Sequence, residues 1–134
     1  MFRKICILIC VSLVVVCLDQ LTKTLIQSHF TLDESILIFS DFFNLTYARN
    51  YGAAFSFLED STPHIRDLLM FSIAPLVCLI ILALVYYAKE SQMVQLIALS
   101  LILGGAIGNY FDRINYGYVV DFFDYIKFKN KARI

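Results

Sequence analysis

Charged residues are scarce in this sequence of 134 residues, and those present cancel one another. Lysine and arginine total 11, aspartate and glutamate total 11, and together they make up only 16% of the chain. With a net charge of zero, the composition gives no reason to expect nucleic acid or an acidic partner. Hydrophobic residues, in contrast, make up 60% of the chain, and the mean hydropathy is +0.74. This composition predicts an integral membrane protein whose partner is the lipid bilayer.

Two common kinds of hydrolytic site are also missing. The sequence has no His-Glu-x-x-His helix, and its two histidines, His29 and His64, lie far from any cysteine cluster. No cysteine pair has metal-ligand spacing, so a zinc peptidase is excluded and we expect neither a metal nor a cofactor. No Gly-x-Ser-x-Gly motif is present, which argues against a serine nucleophile. The remaining candidates for chemistry are carboxylate, amide and guanidinium groups.

Three apolar segments predict membrane-spanning helices. The clearest covers residues 68–88, whose 21 uncharged residues would rise about 31 Å against a hydrocarbon core of roughly 30 Å. Pro75 should kink this helix without ending it. Residues 93–113 form a second span, and the short loop between the two predicts a hairpin. The first apolar stretch, Ile5 to Leu18, is too short to span alone, so we expect its helix to continue to about residue 26.

A cleaved signal peptide is the alternative for this first segment. Arg3 and Lys4 before an apolar core fit that reading, but valines rather than small residues precede Cys17. We therefore favour an uncleaved helix. It draws Asp19 and Lys23 into the outer membrane zone, one turn apart on the same face. An ionisable pair at this depth is costly and calls for a functional reason.

The predicted architecture is an all-α integral membrane protein with a small, partly β segment outside the membrane. Basic residues near the start (Arg3, Lys4) and in the hairpin (Lys89) place the amino terminus in the cytoplasm if positive charges stay inside. The predicted parts of the single domain, residues 1–134, are helices 5–26, 68–88 and 93–113, an extracytoplasmic loop 27–67 and a basic tail 125–134. Within the loop, the aromatic stretch 41–58 suggests an extended segment on the bilayer surface.

Polar side chains gather in three clusters near the outer membrane surface. The clusters are Asp19 with Lys23, Asn44 with Arg49 and Asn50, and Asn109 with Asp112, Arg113 and Asp121. A single such pair is equally well explained by interfacial side chains reaching to water. Three clusters at one level favour a site, because carboxylates at membrane depth usually mark one. Gly104 and Gly108 form a small-xxx-small pattern that predicts close helix packing.

Four sequence pieces carry a resemblance to a known family. They are LDQLTK at 18–23, YARNYGAAFSFL at 47–58, GGAIGNYFDR at 104–113 and GYVVDF at 117–122. In this order, with membrane segments between them, they resemble the lipoprotein signal peptidases, the type II signal peptidases of bacteria. The resemblance implies a four-helix aspartyl endopeptidase of the inner membrane. Its substrate would be a diacylglyceryl-modified prolipoprotein, cut on the amino side of the modified cysteine.

The resemblance also implies roles for individual residues. Asp121 matches one of two catalytic aspartates, which would share one proton and activate a water on the scissile carbonyl. Asn109, Asp112 and Arg113 match residues that brace the site. Asn50 and Gly52 match the strand above the substrate. Asp19 and Lys23 match a buried charged pair.

The end of the sequence departs from the family pattern. The family takes its second catalytic aspartate from an Asn-x-x-Asp-Ser motif at the start of a fourth helix, and neither occurs here. Asp124 is the only nearby substitute, and it does not match the motif. We expect a frameshift or premature stop, and no detectable cleavage by the chain as written. The alternatives are a genuine short form that binds lipidated substrate or borrows a carboxylate from another chain, and a small transporter or structural membrane protein.

Overall fold

The computed structural model describes residues 1–39, 43–51 and 62–125. In chain order, the elements are α1 (Phe2–His29), β1 (Ser35–Phe39), β2 (Phe43–Asn50), α2 (Pro63–Tyr87), α3 (Met93–Tyr116) and β3 (Val119–Tyr125). All three helices are long and apolar enough to cross a membrane. The predicted fold class, three spanning helices with a small β portion, is thus confirmed. Gly52, part of the aromatic stretch 41–58 and the basic tail after residue 125 lie outside the described residues.

Each helix extends beyond the apolar stretch from which it was predicted. At the start of α2, Thr62 occupies the N-cap position and Pro63 the first helical position, where its missing N–H is not needed. The helix then continues through Pro75 as expected. At the end of α3, Gly117 adopts a left-handed conformation with φ of 77°, and its N–H donates to the carbonyl of Arg113 at 2.9 Å. Polar residues at the start of α2 and at the end of α3 remain helical, so counting apolar residues alone underestimates the helices.

The third helix is central because it packs against both of the others. The apolar core between the helices consists of Leu8, Ile81, Val85, Leu96, Leu99 and Leu103. The predicted glycine packing is confirmed at Gly104, where an added Cβ would lie 2.6 Å from the Cβ of Val15 on α1. Large apolar side chains such as Leu79 and Leu101 remain exposed on the outer faces, as expected for helices surrounded by lipid.

One end of the bundle gathers the start of α1 and the turn between α2 and α3. Lys4 is buried there, and its Nζ donates to the carbonyls of Val85, Tyr86 and Ala88 at 3.1, 3.1 and 2.7 Å. These carbonyls belong to the end of α2, where the last turn has no helical donors. The terminal amine of Met1 forms an ion pair with Glu90 nearby, and this ammonium lowers the pKa of the Glu90 carboxyl.

The opposite end carries a three-stranded antiparallel sheet in the order β1-β2-β3. Three buried side chains, Ile26, Tyr47 and Val120, pack the sheet onto the end of α1. The third strand was not predicted, because VVDFFDY follows directly on a membrane helix. Its pairing with β2 places Asp121 opposite Ala48 and Val120 opposite Arg49. The sheet thus carries the residues of the second polar cluster to the end of α3.

Candidate functional site

A buried lysine joins the first and third polar clusters. The Nζ of Lys23 lies 2.8 Å from a carboxylate oxygen of Asp19 and 2.8 Å from one of Asp112. It also donates to the side-chain oxygen of Asn109 at 2.9 Å. Lys23 is 4% exposed and Asp112 is 1% exposed, so each buried charge requires these partners. The one-turn spacing of Asp19 and Lys23 therefore gives the predicted pair, and α3 supplies the rest of the network.

The amide of Gln20 completes this network, although sequence analysis did not single it out. Its Nε2 donates to the Asp19 carboxylate at 3.1 Å, to the Gly108 carbonyl at 3.2 Å and to the Asp112 carboxylate at 2.9 Å. A neutral donor between two carboxylates reduces their repulsion without adding charge. The only sequence signal was its place inside LDQLTK, next to Asp19.

Gly108 makes room for a charged group as well as for a helix. A Cβ built on it would overlap the carboxylate of Asp19 on α1. In contrast, a Cβ on Gly105 would meet nothing within 4 Å. The small-residue pattern on α3 therefore brings the helices together and lets the Asp19 carboxylate reach the α1–α3 interface.

Asp112 links the buried charges to the sheet. Its Oδ2, the oxygen that faces Lys23, accepts a hydrogen bond from the backbone N–H of Val120 at 3.1 Å. Val120 is 1% exposed and packs in the cluster beneath the sheet. Because Asp121 follows Val120 directly, the network fixes the backbone beside the predicted catalytic carboxylate.

The side chain of Asp121 lies on the exposed side of the sheet. Its Oδ2 accepts a hydrogen bond from Nδ2 of Asn50 on β2 at 3.1 Å. Two of the predicted site residues from distant parts of the chain are thus brought together. Across residues 1–39, 43–51 and 62–125, the Asp121 carboxylate forms no ion pair. The residue is exposed.

The neighbouring acid Asp124 does not share this position. It pairs with Asn44 across the sheet, and Thr46 donates to its carboxylate at 3.5 Å. Side chains three residues apart on a strand point to opposite faces. Asp112 is equally unsuited to pair with Asp121, since both its oxygens are held by α1 and by the Val120 N–H.

Arg113 lies apart from Asn109 and Asp112, the other α3 residues of its predicted cluster. It lines a cleft between the start of α2 and the end of α3, together with Asn50, Met70 and Phe71. Asn109 and Asp112 instead contact Lys23. The third predicted cluster is thus divided between two neighbouring helices, with Asn109 and Asp112 facing α1 and Arg113 facing α2. The cleft reaches the site through Asn50, which also contacts Asp121.

A second charged group, Arg49, lies among tyrosines on the sheet. Its guanidinium carbon is 4.8 Å from the centre of the Tyr118 ring. Burial raises the pKa of Tyr47, but hydrogen bonds from Arg49 and Gln27 outweigh it, and the net pKa is lowered. Burial and the hydrogen bond with Tyr47 raise the pKa of Tyr118. Arg49 therefore lowers the pKa of the Tyr47 hydroxyl as well as stacking on the Tyr118 ring.

No group of three or more histidine, cysteine, aspartate or glutamate side chains within the described part of the chain could hold a metal ion. The four cysteines, Cys6, Cys10, Cys17 and Cys78, are free. The polar side chains described at this site are carboxylates, amides and cations.

Comparison with known proteins points to one family. The sequence model of the protein family described as signal peptidase (SPase) II matches residues 11–132. A lipoprotein signal peptidase of Cronobacter sakazakii is 46% identical over 112 residues, which cover 84% of this chain and 67% of that protein. The lipoprotein signal peptidase of Syntrophus aciditrophicus is 43% identical over 110 residues, which cover 82% of this chain and 68% of the relative. The chain thus spans about two thirds of the length of these relatives.

Two solved structures share the fold. One, described as a bacterial membrane enzyme at 1.9 Å resolution, is 30% identical with a TM-score of 0.76, covering 95% of this chain and 79% of the other. A second, described in the same words at 2.3 Å resolution, is 29% identical with a TM-score of 0.75, covering 95% of this chain and 74% of the other. The helices and sheet described above are therefore arranged as in these two membrane enzymes.

Proposed function

This chain belongs to the signal peptidase II family, and on that premise we propose that Asp121 is one of two carboxylates that cleave a prolipoprotein within the membrane. The observation that carries the proposal is the hydrogen bond from Asn50 to Asp121. It orients an exposed carboxylate at the end of three spanning helices, on a strand anchored by the buried charges. The substrate would be cut on the amino side of its diacylglyceryl-modified cysteine.

The reaction requires two carboxylates that share one proton. The ionised one takes a proton from water, and the protonated one polarises the scissile carbonyl. Asn50 supports this role because it fixes the orientation of Asp121 without neutralising it. Asp112 acts as a positioning residue, because it touches the backbone of Val120 rather than the carboxylate of Asp121.

We infer that the second carboxylate is the aspartate of the Asn-x-x-Asp-Ser motif implied by the family resemblance, which the chimera described below supplies. The described carboxylates near Asp121 are otherwise engaged: Asp112 with Lys23 and Gln20, and Asp124 with Thr46 on the far face of the strand. Gly52 and Arg113 remain candidates for holding the substrate. The cleft at Arg113 opens beside Asn50, which supports that assignment for the arginine.

We also propose the bacterial inner membrane as the location, with the amino terminus in the cytoplasm. The basic residues Arg3 and Lys4 begin α1, and Lys89 lies in the turn between α2 and α3. These residues gather at the end of the bundle opposite to the sheet. Positive charges retained in the cytoplasm would place the sheet and Asp121 outside, where a prolipoprotein presents its cleavage site.

The test compares the 134-residue chain with a chimera. In the chimera, residues after 124 are replaced by the corresponding segment of a family member that carries Asn-x-x-Asp-Ser and an apolar helix. Both are incubated with a diacylglyceryl-modified prolipoprotein, and release of the signal peptide is followed by mass spectrometry. We expect cleavage by the chimera and none by the 134-residue chain.

Point variants of the chimera then assign the carboxylate. Asp121→Asn should reduce cleavage by about a thousandfold or more, whereas the matched variant Asp124→Asn should leave it unchanged. Retained cleavage in Asp121→Asn would exclude this residue. Cleavage by the 134-residue chain that is lost in Asp124→Asn would show that Asp121 and Asp124 form the pair. Substrate that binds to the chimera but is never cut would support the non-catalytic alternative.

A further inference from the structure

The side chains around Arg49 form a compact group at the edge of the membrane, formed by Tyr47, Arg49, Tyr51, Tyr116 and Tyr118 and called here the arginine–tyrosine cluster. The guanidinium carbon of Arg49 stands 4.8 Å above the Tyr118 ring. Tyr118 in turn lies 5.4 Å from the ring centre of Tyr51 and 5.7 Å from that of Tyr116. The cation thus stacks on the central ring of a group of three tyrosines.

The cluster is assembled from two separate parts of the chain by a backbone turn. Tyr47, Arg49 and Tyr51 come from β2 and the residue after it, whereas Tyr116 ends α3. Gly117, with φ of 77°, reverses the chain so that Tyr116 and Tyr118 stack with an angle of 24° between their rings. A side chain at Gly117 would strain this turn even though the space is open.

The position of the cluster corresponds to the headgroup level of a bilayer. The 24 residues of α3 rise about 36 Å, somewhat more than a hydrocarbon core of roughly 30 Å. The end of the helix at Tyr116 therefore lies at the membrane–water boundary. Tyrosine and arginine are the side chains that favour this boundary, with rings among the headgroups and the charge towards water.

The charge of Arg49 lacks an acidic partner in the part of the chain that the structure describes. The described ion pairs involve other groups. Arg49 lies opposite Val120 in the sheet, and the next residue, Asp121, accepts a hydrogen bond from Asn50. The guanidinium is exposed, and its hydrogen bond with Tyr47 raises the pKa of Arg49. It thus remains a fixed cation with several N–H donors, the geometry that binds phosphate oxygens.

We propose that the arginine–tyrosine cluster binds the phosphate of an anionic phospholipid from the surrounding bilayer. Arg49 contacts the phosphate, Tyr118 holds the guanidinium flat, and the half-exposed rings of Tyr51 and Tyr116 contact the glycerol region. The bound lipid lies on the same strand pair as Asp121, so it fixes the height of the sheet relative to the membrane surface. This inference depends on membrane insertion and not on catalysis by Asp121, so the two proposals fail separately.

The test measures lipid retention by the full 134-residue chain in detergent. Phosphatidylglycerol and phosphatidylcholine are titrated in parallel, and bound lipid is counted by native mass spectrometry. We expect one phosphatidylglycerol to bind in preference to phosphatidylcholine. Arg49→Gln should weaken phosphatidylglycerol binding about tenfold, the loss expected for a charge-assisted contact. Arg49→Lys should retain part of the affinity, since it keeps the charge but loses the planar fork.

Three further variants separate a built site from general attraction. Arg66→Gln removes the same charge from the same end of the bundle, but Arg66 lies 3.9 Å from Asp67, and we expect less than about a twofold change. Tyr118→Leu removes the aromatic surface without changing charge and should weaken binding. Tyr118→Phe keeps the ring and should not.

Three results would overturn the proposal. They are equal affinity for the two lipids, an equal loss in Arg49→Gln and Arg66→Gln, and displacement of the lipid by excess inorganic phosphate. The last would indicate a site for free phosphate rather than for a phospholipid. Helix content, checked by circular dichroism, should be the same in every variant, so that loss of lipid is not loss of fold.

Discussion

The carboxylate of Asp112 accepts a hydrogen bond from the backbone N–H of Val120 at 3.1 Å, with both residues only 1% exposed. The same oxygen lies 2.8 Å from the ammonium of Lys23. One oxygen of Asp112, on α3, therefore contacts both the backbone of β3 and the buried ammonium of Lys23. The position of the strand that carries Asp121 is set from inside the membrane bundle rather than from the exposed sheet alone.

Removal of the Asp112 charge should destabilise the fold. In Asp112→Asn, Lys23 keeps only Asp19 as an anionic partner at the buried site, and we expect a loss of about 3 kcal/mol in the free energy of unfolding. Unfolding in a denaturing detergent, followed by circular dichroism, measures it. The control is Asp67→Asn, whose exposed side chain lies 3.9 Å from Arg66 and should change stability by no more than about 0.5 kcal/mol. Equal effects in the two variants would contradict a special role for the buried network.

Gln20 should contribute to stability through its three hydrogen bonds. Gln20→Leu leaves a carboxylate oxygen of Asp112 and the Gly108 carbonyl without this donor, and we expect a loss of about 1–3 kcal/mol. Thr22→Val is the matched change on the same helix, because the Thr22 hydroxyl bonds only to α1 carbonyls at an exposed position. If Gln20→Leu is no worse than Thr22→Val by the same unfolding assay, the bridging role is wrong.

Neighbouring glycines on α3 should respond oppositely to alanine. At Gly108, the added methyl group would overlap the Asp19 carboxylate, so Gly108→Ala should destabilise the protein by about 1–3 kcal/mol. At Gly105 the space is open, and Gly105→Ala should be neutral or stabilising by about 0.5–1 kcal/mol. A similar shift in both variants would show that the helices separate freely at this contact. The comparison uses identical substitutions three residues apart, so helix propensity is the same in each.

Two tyrosines of the arginine–tyrosine cluster should ionise in a fixed order. Because burial is outweighed by hydrogen bonds from Arg49 and Gln27, the pKa of Tyr47 is lowered, whereas that of Tyr118 is raised. As pH rises, Tyr47 should therefore lose its proton first. Its ionisation stabilises the folded state in full above the ordinary tyrosine pKa, and this gain is lost as pH falls through the lowered value.

The order can be measured by ultraviolet difference absorbance. The protein has eight tyrosines, so Tyr47→Phe and Tyr118→Phe are each subtracted from the parent titration. Arg49→Gln should shift the Tyr47 transition to higher pH. Titration of Tyr118 before Tyr47 would contradict the arrangement of charges around Arg49.

The sequence predicts which residues share a helix face, but it does not predict which helix packs against that face. The spacing of Asp19 and Lys23 predicted their pair, and that of Gly104 and Gly108 predicted close packing, because both follow from helix periodicity. Periodicity does not say which helix lies opposite, so the division of Arg113 from Asp112 could not be foreseen. Such a division depends on where α1 and α2 contact α3.

Other parts of the site lack any periodic signal. Gln20 is an uncharged residue in a charged motif, and its role emerges only when Asp112 is brought across from α3. The strand holding Asp121 is stabilised by pairing with β2, which lies about 70 residues earlier in the chain. Such long-range pairing is a property of the assembled fold. Gly52, predicted from the family resemblance, lies outside the described residues and stays a prediction.

The burial of Lys4 has a consequence for assembly order. The last carbonyls of α2 receive their hydrogen bonds from this side chain of α1. A hairpin of α2 and α3 inserted alone would present these groups to lipid or interfacial water, at a free-energy cost that α1 removes. We therefore expect insertion of the α2–α3 hairpin to be more favourable when α1 is already in the membrane.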